Sequence, residues 1–193
     1  NIPRLGNNCI SCCNLQFNDC IISEDRLITK KGYREALSFI DYPRIFVPSI
    51  AIGMSQRVID LTVKYLCSRS FSSKIVIYHQ GVHWTISELL TQVEAGRWLV
   101  YSTASKMDKY DFVKIHSAMN KLYATEVAMN TTSTCLQLVG ANGYDKSSVF
   151  TRYMAIAKLL QIVDGTSEGV IWRKSETLKR RLCTLLQPWP GAG

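Results

Sequence analysis

Three long stretches of the chain carry apolar residues at helical spacing, and they constrain the fold more than any other feature. They cover about residues 36–66, 82–107 and 112–138, with short polar breaks between them. Residues three and four positions apart lie on one face of a helix, so each stretch presents an apolar stripe. Because only a neighbouring helix can cover such a stripe, the sequence predicts an all-α, antiparallel up-down helical bundle.

Shorter elements are predicted on either side of the three long helices. Alternating apolar and polar residues over Asn14–Ile22 predict a short β-strand. Two shorter helices are predicted over Val149–Val163 and Val170–Leu186, and the tail from Gln187 is predicted to be non-helical. In the third long helix, the apolar residues that define the predicted buried face are Ile115, Met119, Leu122, Tyr123, Val127, Met129, Cys135 and Leu138.

The composition limits the class of protein. With 193 residues, 47% of them apolar, the chain is long enough for one domain with a substantial core. No apolar run reaches about 18 residues, so no transmembrane segment is predicted. The chain begins at Asn1 without a basic and apolar leader, which is typical of a cut or processed chain.

The chain carries a formal net charge of +8, from 23 Lys and Arg against 15 Asp and Glu. This excess favours a negatively charged partner, either nucleic acid or a phosphate-bearing cofactor. No basic motif with interleaved aromatic residues is present, so nucleic acid is not expected as a partner. We interpret the densest basic cluster as a solvated helical face, formed by Arg173, Lys174, Lys179, Arg180 and Arg181.

Seven cysteines raise the question of a metal site or a disulfide framework: Cys9, Cys12, Cys13, Cys20, Cys67, Cys135 and Cys183. The closely spaced pair Cys9 and Cys12 has no second Cys or His pair at zinc-finger spacing, so no metal site is predicted. An odd number of cysteines in a long helical chain favours a reducing compartment.

A single carboxylate stands where a predicted helix ends. Asp164 follows the largely apolar run 159–163 and precedes Gly165, whose backbone turns freely. Either Thr166 or Ser167 can cap a following helix. A carboxylate beside apolar side chains at such a turn is suited to accept a proton from a weakly acidic carbon atom. The alternative is that Asp164 merely ends one helix and caps the next, since acidic residues are common at helix ends.

Several short segments are informative through their order and spacing along the chain: Asp41–Arg44, Ile52–Arg57, Lys64–Tyr65, Arg69, His79–Gln80, Glu88, Gln137–Tyr144, Ala157–Lys158 and Asp164–Glu168. In order and spacing they resemble the C-terminal half of the acyl-CoA dehydrogenases, medium-chain members above all, over about Arg4 to Arg181. The resemblance implies a truncated chain with three parts. Residues 1–31 are a remnant of the family's middle β-domain, 32–186 are its C-terminal helical bundle, and 187–193 are a tail.

The resemblance implies an FAD-dependent α,β-dehydrogenation of a fatty acyl-CoA thioester, as in fatty acid β-oxidation. In that reaction a carboxylate takes the α proton, hydride leaves the β carbon for the flavin, and the electrons pass to an electron-transferring flavoprotein. Asp164 matches the position of the family's usual catalytic Glu and is one methylene shorter. In branched-chain members the base comes from a different position, which is occupied by Pro43 in this chain. Proline cannot act as a base, so the resemblance assigns the base to Asp164 alone.

The resemblance also implies which residues bind the ligands. The implied FAD contacts are Arg69, Ser70, Phe71, His79, Gln80, Gln137, Leu138, Val139, Gly140, Ala141, Thr166, Ser167 and Glu168. The implied substrate contacts are Asp41, Tyr42, Pro43, Arg44 and Gly165. Two departures from the family pattern fall among them, because the R-x-x-F-G motif reads Arg69–Ser73 without its glycine and Ala141 replaces the second glycine of a Q-x-x-G-G turn. For Arg44, Arg69 and His79, ordinary structural roles are the alternative.

As partners the resemblance implies an acyl-CoA substrate and an electron-transferring flavoprotein. It also implies further copies of the chain in a homodimer or homotetramer, or another chain that supplies the missing domains. The implied compartment is the mitochondrial matrix in a eukaryote and the cytoplasm otherwise. The alternative function is that of a non-catalytic helical fragment, which keeps the oligomerisation surface of such an enzyme without its chemistry.

Overall fold

The computed structural model describes residues 2–6, 11–28, 30, 32, 35, 39–40, 42–109, 113–172 and 175. Three long helices dominate it: α1 (Pro43–Cys67), α2 (Gln80–Lys109) and α3 (Lys114–Val139). A short helix α4 (Ala141–Tyr144) and a longer α5 (Val149–Ile162) follow, and residues 167–172 are again helical. The predicted helical bundle is therefore confirmed. Among the residues described, none of the helices combines the length and apolar character needed to cross a membrane.

The ends of the helices follow from particular residues. Pro43 is the first residue of α1, a position where its missing N–H costs no intrahelical hydrogen bond. Gly140 ends α3 at a φ of +72°, which residues with a side chain rarely adopt. The hydroxyl of Ser148 accepts a hydrogen bond of 3.3 Å from the backbone N–H of Phe150 and caps the start of α5.

Helix α3 lies at the centre of the bundle, packed against α1, α2 and α5. Helices α1 and α2 also pack against each other, and they approach closely at Gly96 and Ile52. The core is built from apolar residues of all four long elements: Val47, Ala51, Ile52, Met54, Val58, Ile59, Ile86, Leu89, Val93, Val100, Ala124, Val127, Ala128, Cys135, Val139, Phe150, Ala157 and Leu160.

The buried face of α3 differs from the predicted apolar stripe. Met119 and Tyr123 are both 37% exposed, whereas the buried residues are mainly small or polar: Ser117, Ala118, Asn120, Lys121, Ala124, Thr125, Val127, Ala128, Thr131, Thr132, Cys135 and Val139. Small side chains let the surrounding helices approach α3. The hydroxyls of Thr125 and Thr132 donate to carbonyl oxygens one turn earlier in the same helix, which satisfies them without a partner on another helix.

A small hairpin occupies the polar break between α1 and α2. Strands β1 (Ser70–Phe71) and β2 (Lys74–Ile75) pair antiparallel, and the turn between them is formed by Ser72 and Ser73. Both turn residues have positive φ, at 49° and 60°, as two-residue hairpin turns require. The hairpin places Ser70 beside the C-terminal end of α1.

The strand predicted over Asn14–Ile22 does not form. Residues 11–28 contain no strand and are exposed, and their only regular element is a 3-10 turn over Glu24–Arg26. A strand needs a partner for its backbone hydrogen bonds, and the described residues offer none beside this segment. Of the helix predicted over Val170–Leu186, residues 170–172 and 175 are helical. The remainder of that helix lies outside the described residues. So do the basic cluster that begins at Arg173, the cysteine Cys183 and the tail from Gln187.

Candidate functional site

The connection between α5 and the following helical segment, residues 163–166, is called the Asp164 junction here. Asp164 has a φ of +56° and Gly165 a φ of +107°, so the backbone reverses within two residues. On the far side, the hydroxyl of Thr166 accepts a hydrogen bond of 3.2 Å from the backbone N–H of Gly169. Of the two predicted caps, Thr166 therefore caps the next helix, and Asp164 occupies a fixed bend between two helices.

Arg44 holds the junction from α1. Its side chain is buried, with 3% exposed, and its Nε donates a hydrogen bond of 3.1 Å to the backbone carbonyl oxygen of Asp164. A Cβ placed on Gly165 would lie 3.2 Å from Nη2 of Arg44, so the guanidinium lies against the bend. Arg44 is one of the implied substrate contacts, and the structure directs its side chain into the protein at the base of the junction.

Lys121 holds the junction from α3. This lysine is fully buried, and its Nζ donates hydrogen bonds of 2.8 Å to the carbonyl oxygen of Gln161 and 2.7 Å to that of Gly165. Burial lowers the pKa of Lys121 and the neighbouring Arg44 lowers it further, while Asp164 is among the carboxylates that act in the opposite direction. A cation is favourable at this place because the last carbonyl groups of α5 have no partner within the helix.

Glu126 joins both flanks of the junction. One of its carboxylate oxygens accepts a hydrogen bond of 2.8 Å from the side-chain amide of Gln161, and the other accepts one of 2.6 Å from the hydroxyl of Ser167. The hydroxyl proton of Ser167, an implied FAD contact, is thus engaged within the chain. Glu168 is exposed, and hydrogen bonds from its own backbone N–H and from Thr166 lower its pKa.

The Asp164 carboxylate is half-buried, and it has no hydrogen-bond partner among the described residues. Its surroundings are not purely apolar, because the buried cations Arg44 and Lys121 lie around the same bend. The backbone of Asp164 is therefore held by charged groups while its side chain remains available. Such an arrangement suits a carboxylate that accepts a proton from a bound molecule.

The other implied substrate contacts lie near the junction or outside the described residues. Tyr42 is exposed and Pro43 half-buried at the start of α1, and Gly165 is exposed at the bend. Asp41 lies outside the described residues.

A second cluster surrounds an open cleft of about 560 Å³ at the other end of α1, called the Arg69 cleft here. The residues that line it are Tyr65, Ser68, Arg69, Ser70, Gly140, Ala141 and Asn142. Four of them, Arg69, Ser70, Gly140 and Ala141, are implied FAD contacts that come from two distant segments. Among the described residues, the lining carries one cation, hydroxyl groups and small residues but no carboxylate, which is a donor set suited to phosphate.

Tyr65 organises this cleft. Its phenolic oxygen accepts a hydrogen bond of 3.0 Å from Nη1 of Arg69 and one of 2.8 Å from the side-chain amide of Asn142. The guanidinium of Arg69 also lies 6.0 Å from the centre of the Tyr65 ring. Both sides of the cleft are therefore connected through one hydroxyl group, which keeps Arg69 near the Gly140 turn.

The remaining implied FAD contacts do not line the cleft. Phe71 is exposed on the hairpin, and Nε2 of His79 lies 3.3 Å from its carbonyl oxygen, so this histidine secures the hairpin to the start of α2. Gln80 and Gln137 are exposed, and Leu138 is half-buried. Val139 is 1% exposed and its side chain belongs to the core, which leaves only its backbone for a ligand.

The two clusters lie at opposite ends of one helix. Arg44 is in the first turn of α1 and Arg69 follows its last turn, so about 37 Å of helix separates them at 1.5 Å per residue. A single small molecule bound to one copy of the chain cannot contact both the Asp164 junction and the Arg69 cleft. The structure therefore presents two half-sites rather than one continuous site.

Sequence reasoning assigned no role to four residues that shape these half-sites: Lys121, Glu126, Tyr65 and Asn142. Tyr65 and Asn142 stand inside segments that carry the family resemblance, so their position gave a signal. Lys121 lies outside the predicted apolar face of its helix, so nothing in the sequence marked it as buried. Glu126 is exposed on α3, and nothing in the sequence distinguishes it from other surface carboxylates.

The four cysteines Cys12, Cys13, Cys20 and Cys67 are exposed, and Cys135 is buried. Within the described part of the chain, His, Cys, Asp and Glu side chains form no group large enough to hold a metal ion. Cys9 lies outside the described residues.

Residues 30–173 match the family model described as acyl-CoA dehydrogenase, C-terminal domain. The fold and this match define the helical C-terminal domain of an oxidoreductase family. The chain belongs to the acyl-CoA dehydrogenase family.

Individual relatives agree with this assignment. The chain is 37% identical over 156 residues to the acryloyl-CoA reductase (NADH) of Anaerotignum propionicum, covering 80% of this chain and 40% of the relative. It is 31% identical over 167 residues to the mitochondrial short/branched chain specific acyl-CoA dehydrogenase of Rattus norvegicus, covering 85% and 38%. The butyryl-CoA dehydrogenase structure from Megasphaera elsdenii superimposes with a TM-score of 0.74 at 30% identity, covering 78% and 39%. The chain spans about 40% of the length of these relatives.

Proposed function

We propose that this chain is the C-terminal part of an FAD-dependent enzyme that catalyses the α,β-dehydrogenation of a fatty acyl-CoA thioester. One observation carries the proposal: the Asp164 carboxylate stands without a described partner on a bend that Arg44 and Lys121 hold by its carbonyl groups. The two buried cations hold the carbonyl groups of Asp164 itself and of Gln161 and Gly165 on either side, so the position of the bend is fixed while the carboxylate is not engaged.

The proposed role of Asp164 is that of general base. Its carboxylate accepts the proton from the α carbon of the thioester, and the electron pair of that C–H bond forms the new double bond as hydride leaves the β carbon. FAD, when bound, supplies the acceptor for that hydride. Arg44 and Lys121 do not touch the substrate in this scheme, and they hold the backbone from which the carboxylate reaches it.

The proposed role of the Arg69 cleft is to bind a phosphate-bearing part of the cofactor. Arg69 offers paired N–H donors and Ser70 a hydroxyl, while Gly140 and Ala141 let a ligand approach the backbone. The Asp164 junction and the cleft are too far apart to serve one ligand in a single copy. The proposal therefore includes a site built from two copies of the chain, with the cleft from one and the junction from the other.

Three further elements of the proposal follow the family rather than any contact in this chain. The electrons leave to an electron-transferring flavoprotein, the enzyme is a homodimer or homotetramer, and its compartment is the mitochondrial matrix in a eukaryote or the cytoplasm otherwise. One of the relatives is named a reductase. The reaction is accordingly to be assayed in both directions.

A specific observation favours the alternative, a non-catalytic oligomerisation fragment. Helix α2 exposes large aromatic side chains, with Trp84 66% and Trp98 63% exposed, and Trp98 packs edge-on against Tyr101 at 6.1 Å. Exposed apolar surface of this kind is common where protein chains associate. The alternative keeps this surface and lacks the chemistry.

The experiment is an absorption spectrum of the protein purified as the cell makes it, before and after anaerobic addition of an acyl-CoA. The proposal predicts bound flavin that loses its visible absorption with the acyl-CoA and regains it, once reduced, with the corresponding enoyl-CoA. Arg69→Gln should lower flavin affinity by about tenfold or more, the effect of one lost charge-assisted pair. The matched control Arg57→Gln, exposed in the middle of α1, should leave it unchanged. An oligomeric, colourless protein that takes up no added FAD would favour the alternative instead.

A further inference from the structure

Lys121 is the one lysine among the described residues that is completely enclosed. We infer that Lys121 is a positioning residue for Asp164, which fixes the bend from which the carboxylate reaches the α carbon of the substrate. The inference rests on the proposed function and adds a residue to it.

The two hydrogen bonds of Lys121 bracket Asp164 along the chain. Its Nζ contacts the carbonyl oxygen of Gln161 on one side at 2.8 Å and that of Gly165 on the other at 2.7 Å. A single ammonium group thus ties the last turn of α5 to the residue that follows the carboxylate. Lys121 therefore restrains the distance between these two carbonyl groups from α3, outside the junction itself.

Burial of an ammonium group is costly unless hydrogen bonds replace its water. An apolar residue of similar length would fill the same space, but it would leave two carbonyl groups without a partner at a helix end. At a solvent-exposed helix end, water molecules would accept this role and donate hydrogen bonds to the same carbonyl groups. The enclosed position of Lys121 makes the bend rigid, because no solvent molecule can replace the contact.

Rigidity matters more here than it would for a longer side chain. Asp164 is one methylene shorter than the Glu usual at its position, so it has one rotatable bond fewer with which to correct an error of the backbone. A displacement of about 1 Å of a reacting group can lower a rate by on the order of a hundredfold. The position of the carboxylate therefore depends on the backbone that Lys121 holds.

The first test measures the bend without any reaction. Amide hydrogen exchange over residues 163–169 is compared between the wild type, Lys121→Met and the control Cys135→Ala, which changes a buried residue on the same helix away from the junction. The inference predicts exchange at least about tenfold faster over 163–169 in Lys121→Met alone. Unchanged exchange over this segment would overturn it.

The second test separates positioning from general stability. Single-turnover reduction of the bound flavin by a saturating acyl-CoA is measured for the same variants. Lys121→Met is expected to lower the limiting rate by about a hundredfold while changing the half-saturating acyl-CoA concentration less than about threefold, since the ligand contacts remain. Cys135→Ala should leave both values within about threefold of the wild type. If Lys121→Met does not fold, Lys121→Gln replaces it, because glutamine keeps an uncharged amide donor group on a shorter side chain, with an expected loss of about tenfold.

The variant Asp164→Asn distinguishes a failure of this inference from a failure of the proposed function. If Asp164→Asn leaves the rate of flavin reduction unchanged, the proposed function is wrong and the role of Lys121 falls with it. If Asp164→Asn removes the activity while Lys121→Met reacts as fast as Cys135→Ala, the proposed function stands. In that case the positioning role alone is overturned.

Discussion

Nε of Arg44 donates a 3.1 Å hydrogen bond to the backbone carbonyl oxygen of Asp164, so the first turn of α1 is joined directly to a residue 120 positions later in the chain. This contact crosses the bundle and fixes the junction against the helix that also leads to the Arg69 cleft. Because Arg44 is buried, the bond forms away from bulk water and contributes to stability as well as to geometry.

Replacing Arg44 tests that contribution. Arg44→Met keeps much of the apolar stem and removes the donor, which leaves the Asp164 carbonyl unpaired and should lower the free energy of unfolding by about 2–3 kcal/mol. Chemical denaturation monitored by circular dichroism measures the change. Arg57→Met on the exposed face of α1 should shift the free energy by less than about 0.5 kcal/mol. Equal effects of the two substitutions would refute the proposed contribution of Arg44.

The close approach of α1 and α2 gives a second prediction. A Cβ on Gly96 would lie 2.3 Å from Cδ1 of Ile52, so Gly96→Ala should destabilise the protein by about 1–3 kcal/mol. Ile52→Val deletes that same Cδ1 atom, and in the Gly96→Ala background it should restore about 1 kcal/mol or more.

The control for this double-mutant cycle is Gly53→Ala. Gly53 is exposed in the middle of α1, and within the described part of the chain no neighbouring side chain lies within 4 Å of the position that an added Cβ would take. Alanine there should therefore stabilise the helix by about 0.5–1 kcal/mol. Strictly additive effects of Gly96→Ala and Ile52→Val in thermal denaturation would show that the predicted contact is absent.

The hairpin turn gives a third prediction. Ser73 has a φ of +60°, a conformation that costs a residue with a side chain about 1 kcal/mol and glycine almost nothing. Ser73→Gly should therefore raise stability by about 0.5 kcal/mol after the added freedom of the unfolded chain is deducted. Ser87→Gly, at an exposed position within α2, should lower it by about 1 kcal/mol. A loss of stability in both variants would contradict the turn geometry.

The buried thiol of Cys135 gives a fourth prediction, on how the free energy of unfolding depends on pH. Burial raises the pKa of its thiol to about 11 from 9.0, and a hydrogen bond with Thr62 reduces the effect. Above pH 9 the unfolded thiol loses its proton while the folded one retains it, so stability is complete below pH 9 and falls as pH rises towards 11, by about 2–3 kcal/mol.

The measurement is the difference in unfolding free energy between the wild type and Cys135→Ala from about pH 8 to 11. Other groups titrate in this range, but they do so in both proteins and cancel in the difference. The advantage of the wild type should shrink as the pH rises. A difference that stays constant over this range would contradict the enclosed thiol.

The long helices could be predicted because their signals are local. Apolar residues at helical spacing placed the second helix at 82–107, and it extends over Gln80–Lys109. The interior of α3 could not be predicted in the same way, since the hydroxyl groups of Thr125 and Thr132 are satisfied by carbonyl groups of their own helix, which lets polar residues enter the core. The strand expected over Asn14–Ile22 failed because pairing depends on a neighbour and not on the segment itself.

The candidate sites also contain one part that the sequence could predict and one part that it could not. Arg69 and Gly140 were assigned to one ligand by resemblance, and the structure brings them together at one cleft. The contacts that hold the Asp164 junction join residues 35 to 120 positions apart, between α1, α3 and the end of α5. No local sequence pattern predicts contacts between residues so far apart in the chain. Their donors, Arg44 and Lys121, look like surface charges until the helices are packed.

Flavin reduction by an acyl-CoA in the Asp164→Asn variant tests the central claim most directly. Asparagine keeps the size of the side chain and removes the group that accepts a proton, so the limiting rate should fall by at least about a hundredfold while flavin binding is retained. Asp60→Asn, an exposed substitution on α1, serves as the control and should react like the wild type. A limiting rate for Asp164→Asn within about threefold of the wild type would contradict the assignment of Asp164 as the base.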